Sequence, residues 1–229
     1  REERWDELLL AVLADPDVAS KESLVRQYDH EVKGSSIEKP FTGVGHDAPS
    51  DGAVLKPRYS SWRGLAIAHG IAPRLSAQDP GLMAAAAVDE AYRAYIVLGG
   101  DPKAAVALDN FCWPDPVESA SNPDGAHKLA GLVRACAALK DACISVKPTL
   151  LVTVVGPVGD VRKCLSTDFL ETGDLLYLVG PDGSAGLGAS ILERVLAAQG
   201  KAKGLGSAPG ATPAACLPQY LALSAAISG

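Results

Sequence analysis

The sequence predicts a protein of the α/β class, and three patterns carry that prediction. The uncharged run over residues 149–155 is rich in β-branched side chains, as central strands are. Residues 83–98 are rich in alanine and end at a pair of glycines, which is typical of a helix. The apolar run 104–108 ends in Asp109-Asn110. It predicts a buried strand that delivers polar groups at its carboxyl end, where α/β proteins bind ligands.

Composition and charge narrow the class of protein further. The chain has 229 residues, of which 48% are hydrophobic, and a net charge of −6, so no basic excess exists for a general nucleic-acid binder. The most apolar long stretch, residues 130–155, contains four charged residues, and no membrane partner is expected. Five cysteines without a CxxC pair indicate reduced thiols in a cytoplasmic protein. The first residue is not Met, which indicates a piece of a longer polypeptide.

The first 50 residues predict two helices and an irregular segment. Residues 1–14 place Trp5, Leu8, Leu9, Val12 and Leu13 on one stripe, which predicts an amphipathic helix with a buried face. Ser20 is a plausible cap for a second helix that extends to Tyr28. Residues 34–50 are rich in Gly, Pro and Ser and are expected to be irregular, with a short strand near Ile37.

The central block predicts two strands followed by two helices around the strand at 104–108. Residues 53–55 and 64–68 are the strands, and Pro57 with the Ser60-Ser61 turn separates them. Pro80 begins the alanine-rich helix, because its missing N–H costs nothing in a first turn. A helix over 126–143 is predicted to bury one apolar face. That face is Leu129, Leu132, Val133, Cys136 and Leu139.

The last block, from Pro148, predicts two strands and two or three helices. Gly156-Pro157 is expected to stop the strand at 149–155, and Asp160 to cap a short helix. Residues 174–179 predict a strand, and 186–198 and 213–227 predict helices. These elements cannot bury both faces of a sheet, so the block is expected to be incomplete, with further chain or a partner covering it.

Three carboxylates are candidate ligands of a nucleotide and its metal. Asp51 begins a strand, Glu90 lies within a helix of small residues, and Asp109 ends a strand. Mg²⁺ uses few protein carboxylates and completes its octahedron with phosphate oxygens and water. Asp51 and Glu90 are therefore a candidate Mg²⁺ pair, although ordinary capping and surface roles remain the alternative. His69 ends a strand before Gly70 and is a candidate phosphate contact or a structural histidine.

Four motifs in order resemble those of a known family. They are Tyr-Asp-His-Glu-Val at 28–32, Asp-Gly-Ala-Val at 51–54, Val-Asp-Glu-Ala-Tyr-Arg at 88–93 and Asp-Asn-Phe-Cys-Trp-Pro at 109–114. Together they resemble the second half of the synthetase subunit of phosphoribosylformylglycinamidine synthase, in the aminoimidazole ribonucleotide synthetase-like superfamily. The resemblance implies a helical and linker segment over 1–48 and a barrel-forming N-type domain over 49–147. A partial αβ-sandwich C-type domain over 148–229 would follow.

The resemblance also implies a function. The parent enzyme uses ATP, glutamine-derived ammonia and formylglycinamide ribonucleotide to make the amidine in purine biosynthesis. Asp51 and Glu90 match the family's Mg²⁺ ligands, whereas Ala94 stands where the family has a ligating Asn. The implied partners are a glutaminase subunit or domain and an equivalent half-domain or second copy, which would share the barrel.

Two parts of the family pattern are missing. The segment that holds the catalytic His is absent, so the isolated chain is expected to be inactive and to carry no catalytic residue. The glycine-rich loop expected between Cys143 and Ile144 is absent too, which predicts a break in the native chain there. A non-catalytic scaffold and a sibling enzyme of the superfamily are the alternative readings.

Overall fold

The structure, a computed structural model, describes residues 4–146, 153–180, 186–201, 205–210 and 212–229. Its contacts divide the chain into two compact units. The smaller unit comprises Arg1–Tyr28 with Pro181–Gly210, and the larger comprises Asp29–Gly180 with Ala211–Gly229. These contact clusters do not follow the predicted boundaries after residues 48 and 147, which stay a prediction.

Regular structure consists of helices, short strands and 3₁₀ turns. The helices are α1 (Trp5–Leu13), α2 (Glu22–Val25), α3 (Pro80–Val97), α4 (Gly125–Val146), α5 (Ile191–Ala198) and α6 (Pro213–Ser228). The strands are β1 (Ser36–Glu38), β2 (Phe41–Thr42), β3 (Ala48–Pro49), β4 (Gly52–Leu55), β5 (Gly64–His69), β6 (Val106–Leu108) and β7 (Thr153–Val158). The 3₁₀ turns are Val32–Gly34, Pro73–Ala77 and Val161–Lys163.

The smaller unit pairs α1 with α5. Arg194 on α5 forms ion pairs with Asp15 and with Asp17, the latter at 2.8 Å. The predicted buried stripe on α1 is wrong, because Trp5 is 67% exposed and no residue of the helix is buried. A single packed helix covers one side of α1, whereas the consecutive apolar residues Leu8, Leu9 and Leu10 lie on different sides of it.

The larger unit is built on a five-stranded antiparallel sheet in the order β1-β4-β5-β7-β6, with β2 and β3 pairing separately. The mixed α/β class is therefore confirmed, with antiparallel rather than parallel pairing. The predicted buried strand at 104–108 is an edge strand of three residues, and only its Ala107 is buried. An edge strand has one neighbour, and apolar composition alone does not distinguish it from an inner strand.

β7 is an inner strand, as predicted, but it does not stop at Gly156-Pro157. In a strand, the N–H and C=O of one residue point to the same side. The carbonyl of Pro157 accepts a hydrogen bond from the amide of Asp101, 3.0 Å away. It faces the side on which β6 pairs, but β6 pairs only with residues 153–155 and does not reach Pro157. The missing N–H of Pro157 faces that same side, so no ladder bond is lost and the strand continues. Residues 149–152 lie outside the described residues.

The two faces of the sheet differ in cover. Side chains that alternate onto the helix-covered face are buried, namely Val54, Ala66, Ala68, Ala107, Val154 and Val158. The opposite face, hereafter the open face, comprises Ala53, Leu55, Leu65, Ile67, Val155, Pro157, Val106 and Leu108. Its members are half-buried or exposed, and Val106 and Leu108 reach 54% and 55%. Apolar side chains therefore remain partly exposed across four adjacent strands.

Helix α3 lies at the centre of the helical layer and contacts β5, β7, α4 and α6. It begins as predicted at Pro80, and the side chain of Asp79 caps it by accepting from the amides of Gly81 and Leu82. Tyr220 of α6 donates a hydrogen bond to the buried carboxylate of Asp89, which also pairs with Arg93. Burial raises the pKa of Tyr220, so its hydroxyl stays a donor at neutral pH.

Helix α4 turns only part of the predicted face inward. Leu139 is buried and Leu132 half-buried as predicted, but Leu129, Val133 and Cys136 are exposed, and Gly131 and Ala135 are buried in their place. Small residues allow α4 to approach α3 closely, so backbone proximity decided the orientation and side-chain hydrophobicity did not. The helix runs without interruption through Cys143 and Ile144. The break in the native chain between these residues stays a prediction.

Two further predictions from the last block are corrected. Residues 174–179 form no strand, and Leu175, Tyr177 and Leu178 are 74%, 78% and 92% exposed. A strand requires a pairing neighbour, and the described residues supply none to this segment. Helix α5 begins only at Ile191, after the Gly186-Leu187-Gly188 turn.

Among the described residues, no helix combines the length and apolar character needed to cross a membrane.

Candidate functional site

One end of the sheet gathers the residues that the sequence singled out. Gly52 pairs with Ala68, and continuing that register by one residue places Asp51 beside His69. His69 pairs with Thr153, which in turn pairs with Leu108, the residue before Asp109. Asp51, His69 and Asp109 therefore lie at the same end of the sheet, at the ends of β4, β5 and β6, and β7 lies between β5 and β6. This end of the larger unit is called the site edge below.

Glu90 reaches the site edge from helix α3. Its Oε2 accepts a hydrogen bond from the amide of Ile71 at 2.8 Å, just beyond the end of β5. Gly70 makes this approach possible, because a Cβ there would overlap the carbonyl oxygen of Ala87 and lie 2.7 Å from the nitrogen of Ala91. Gly70 therefore lets the end of β5 pack directly on helix α3, next to His69 and close to Glu90.

The segment that carries Asp51 is held by its neighbour Ser50. The Oγ of Ser50 lies 2.8 Å from Oε1 of Glu38 and 2.9 Å from the carbonyl oxygen of Gly52. Asp51 itself is exposed and makes no hydrogen bond within the described residues. Its carboxylate is therefore presented to solvent on a backbone that Glu38 and Ser50 anchor.

The two carboxylates Asp51 and Glu90 are of the type that binds a hard cation whose other ligands are phosphate oxygens and water. Within the described residues, no group of three or more His, Cys, Asp or Glu side chains could hold a metal. Two carboxylates, Asp51 and Glu90, fit Mg²⁺, which is bound through one or two carboxylates plus phosphate oxygens and water. Ala94, one helical turn after Glu90, offers no ligand. The shared ion between Asp51 and Glu90 stays a prediction.

Asp109 and His69 have more limited roles in the geometry. Asp109 lies three strand spacings from Asp51, roughly 14 Å at the strand level, so the two carboxylates cannot share one ion. The Nδ1 of His69 lies 3.1 Å from Oγ1 of Thr153, so part of its hydrogen-bonding capacity serves the sheet. Both residues lie where a ligand along the site edge would contact them, and their role as cofactor contacts stays a prediction.

A pocket that the sequence did not indicate lies beside the Asp51 segment. Its volume is about 340 Å³. The lining includes Glu38, Lys39, Phe41, His46, Cys164 and Asp168. Burial raises the pKa of the Cys164 thiol to about 11, so the thiol is neutral near pH 7 and is not a nucleophile. The pocket is assembled by segments more than 100 residues apart in sequence, which is why no local motif revealed it.

Glu38 is the most unusual group in this pocket. It is 7% exposed, and burial is the main cause that raises its pKa above the ordinary value of 4.5. The hydrogen bond from Ser50 opposes this shift, while the negative charges of Asp168 and Asp51 add to it. The charge of Asp51 is the smallest of these four contributions, so burial and not the site edge sets the pKa of Glu38.

Comparison with curated proteins finds relatives that are subunits of phosphoribosylformylglycinamidine synthase. The subunit PurL of phosphoribosylformylglycinamidine synthase from Picrophilus torridus is 30% identical over 200 residues, covering 79% of this chain and 26% of that protein. PurL from Thermoplasma acidophilum is 28% identical over 73% of the chain and 24% of the relative, and PurL from Prochlorococcus marinus is 34% identical over 77% and 24%. The chain thus spans about a quarter of the length of these curated relatives.

A search of solved structures matches part of the chain to T. maritima PurL complexed with AMPPCP, at 20% identity and a TM-score of 0.46 over 66% of this chain and 26% of that one. T. maritima PurL complexed with ADP gives 21% identity and a TM-score of 0.44, over 63% and 25%. No family model matches the chain.

Replacing Gly70 with Ala tests whether close packing of β5 on α3 supports the site edge. The added Cβ would meet backbone atoms that cannot rotate away, so we expect a loss of about 1–3 kcal/mol in the free energy of unfolding. Urea denaturation followed by circular dichroism measures it. Gly159→Ala is the matched control, since a Cβ there meets nothing within 4 Å. Equal stability of the two variants would contradict the packing argument.

Replacing Glu38 with Gln tests the buried carboxyl. A carboxyl whose pKa is raised by folding binds its proton more tightly in the folded protein. Its stabilising contribution is therefore full below the unfolded-state pKa and is lost as pH rises through the raised pKa. Gln keeps an acceptor for Ser50 and removes this titration.

We expect the free energy of unfolding of Glu38→Gln to fall less than that of the unsubstituted chain between pH 4.5 and neutrality. Urea denaturation at a series of pH values gives the difference. The exposed Glu118→Gln variant should match the unsubstituted chain throughout. Parallel pH profiles for Glu38→Gln and the unsubstituted chain would rule out a raised pKa.

Proposed function

Because this chain is homologous to a segment of phosphoribosylformylglycinamidine synthase subunit PurL, we propose that it forms part of an ATP-dependent ligase of purine biosynthesis. The complete enzyme would convert formylglycinamide ribonucleotide to its amidine with ATP and glutamine-derived ammonia. ATP would phosphorylate the carbonyl oxygen of the glycinamide group to give an iminophosphate, and ammonia would add to that carbon and release phosphate, which leaves the amidine. This chain would supply the second half of an aminoimidazole ribonucleotide synthetase-like core, and alone it would be inactive.

The observation that carries this proposal is the convergence of Asp51, His69 and Glu90 on one end of the sheet. Asp51 and Glu90 would hold a Mg²⁺ ion that neutralises the phosphate charge of bound ATP or ADP. His69, and Asp109 farther along the site edge, would contact the nucleotide. Electrostatic neutralisation and positioning supply most of the catalysis in phosphoryl transfer, so a site without a nucleophile is consistent with this role.

The open face supports a partner that completes the sheet into a shared barrel. Apolar side chains on four adjacent strands are only half-buried or exposed there, and an apolar face of this kind requires a second layer. A second copy of this chain or an equivalent half-domain is the proposed occupant. The glutaminase that would deliver ammonia is proposed as a separate subunit or a further domain.

A second candidate function is that of a non-catalytic scaffold, and two observations favour it. Ala94 removes a ligand, and Glu90 already has a structural task in accepting from the amide of Ile71. A site edge organised for packing alone would retain both features without any nucleotide. Measuring nucleotide affinity separates the two functions.

Titration of the chain with Mg·ADP by calorimetry tests the nucleotide site. Asp51→Asn and Glu90→Gln should each weaken binding by about tenfold or more, as loss of a charge-assisted contact of about 1.5–3 kcal/mol implies. Gln at position 90 can still accept from Ile71, so the fold is retained while the charge is removed. Ala94→Asn should strengthen binding by restoring an oxygen ligand. Glu118→Gln is the control and should leave the affinity unchanged.

The outcomes of this titration discriminate between the two functions. Binding that requires Asp51 and Glu90 supports the nucleotide half-site. No heat with the unsubstituted chain, and none with Ala94→Asn, would leave the scaffold as the function.

Sedimentation velocity tests the open face. We expect the chain to form dimers, and Leu108→Glu to shift them to monomers, because a carboxylate would be buried in an apolar contact without a partner. Val117→Glu is the matched control, since Val117 is 66% exposed and lies outside the sheet. Association that survives Leu108→Glu, or a chain that is monomeric at every concentration, would contradict a second copy on this face.

A further inference from the structure

The loop between β4 and β5, residues 56–63, is unusually basic for this protein. The whole chain carries a net charge of −6, yet no Asp or Glu occurs between Gly52 and Gln78. The loop lies at the end of the hairpin opposite Asp51 and His69, because β4 begins and β5 ends at the site edge. Positive charge is therefore concentrated at the far end of the same two strands.

Trp62 organises the cations of this loop. The Nζ of Lys56 lies 4.0 Å from the centre of the Trp62 ring, and the guanidinium carbon of Arg162 lies 4.8 Å from it. The carbonyl of Trp62 accepts a hydrogen bond from the amide of Val161 at 2.8 Å, so the loop is tied to the Val161–Lys163 turn. Asp160 pairs with Arg162 at 2.6 Å and keeps it in place. The ring is thus a fixed platform for positive charge.

Tyr59 extends the same surface toward Lys33. Its hydroxyl donates to the carbonyl oxygen of Lys33 at 2.7 Å, although the ring is 73% exposed. Within the described residues, Lys33, Lys56, Arg58 and Arg63 take part in no ion pair, since none of the observed salt bridges includes them. The basic-aromatic patch is defined as Lys33, Lys56, Arg58, Tyr59, Trp62 and Arg63.

We propose that the basic-aromatic patch binds an acidic segment of a partner protein, one that combines aspartate or glutamate with apolar side chains. Trp, Tyr and Arg are the residues that most often dominate the binding energy of protein interfaces. Arginine guanidinium groups without an internal partner accept carboxylates in bidentate geometry. Half of the Trp62 surface remains exposed and offers the apolar contact that such an interface requires.

The geometry favours a protein partner over a nucleic acid. Binding of single strands relies on bases that stack on open aromatic rings. The Trp62 ring, although half exposed, already has the cations of Lys56 and Arg162 against it, so a base would have to displace a cation to stack there. The net charge of −6 also opposes the approach of a continuous phosphate backbone, whereas a short acidic segment needs only the local patch.

Fluorescence anisotropy with the full chain tests the proposal. The probe is a short fluorescein-labelled peptide of Asp, Glu and Leu, with a peptide of Lys and Leu and an oligothymidylate as comparison probes. We expect the acidic peptide to bind, with an affinity that falls as salt is raised. Arg58→Glu, Arg63→Glu and Trp62→Ala should each weaken binding by about tenfold. Lys140→Glu makes the same charge change on an exposed helical position outside the patch and should have little effect.

Several results would overturn the proposal. Absence of binding to the acidic peptide would do so, as would tighter binding of the oligothymidylate. If Lys140→Glu and Arg63→Glu weakened binding equally, the effect would come from net charge and not from the basic-aromatic patch. Circular dichroism of Trp62→Ala, and the charge reversals at exposed positions, guard against a loss of binding that comes from unfolding.

Discussion

The seating of β5 on helix α3 at Gly70 is the constraint on which the site edge depends. A side chain at this position would collide with the backbone of Ala87 and Ala91, so only glycine allows the strand end to reach the helix. The same contact brings the amide of Ile71 within 2.8 Å of Glu90. One missing side chain thus sets both the distance between helix and sheet and the direction of a carboxylate. The aromatic and aliphatic core around Tyr92, Tyr95 and Ile96 holds α3 in the orientation that this contact requires.

Burial beside the site edge changes the chemistry of its charged groups. Glu38 is removed from water at the edge of the sheet, and its pKa rises for that reason. Ser50 bonds to Glu38 on one side and approaches the backbone of Gly52 on the other, so a buried carboxyl holds the segment from which Asp51 projects. Asp51 remains exposed. The two carboxyl groups therefore have different roles. Buried Glu38 positions the backbone near Ser50, and exposed Asp51 is accessible to a ligand.

The β4–β5 hairpin separates charge along its length. Its open end carries Asp51 and His69, with Glu90 near, and its loop carries Lys56, Arg58 and Arg63 around Trp62. A hairpin of four paired positions keeps these ends apart, so a metal–nucleotide site and a basic interaction surface would use the same two strands without interfering. Between them the open face presents apolar side chains. Three surfaces of different chemistry therefore depend on one short antiparallel pair.

Much of this arrangement could be predicted from local sequence. The alanine-rich α3 and the helix α4 follow from propensity and end signals, and the β4–β5 hairpin follows from two apolar runs around a turn. Asp51, His69 and Asp109 are candidates because they lie at strand ends, and Glu90 because it lies among small residues within a helix. The structure places Asp51, His69 and Glu90 at one end of the sheet. The shared ion was not decided by sequence, because carboxylate separation depends on packing between elements.

What the sequence by itself determined is which segments become helices and hairpin strands, because those choices depend on residues a few positions apart. Only the tertiary structure decided the antiparallel register, the edge position of β6, the inward face of α4 and the exposure of residues 174–179. It also decided that residues near 40 and near 165 enclose one pocket. Each of these features depends on which distant segment packs against the residues in question. Apolar composition shows that a residue can be buried, but it does not show which segment will cover it.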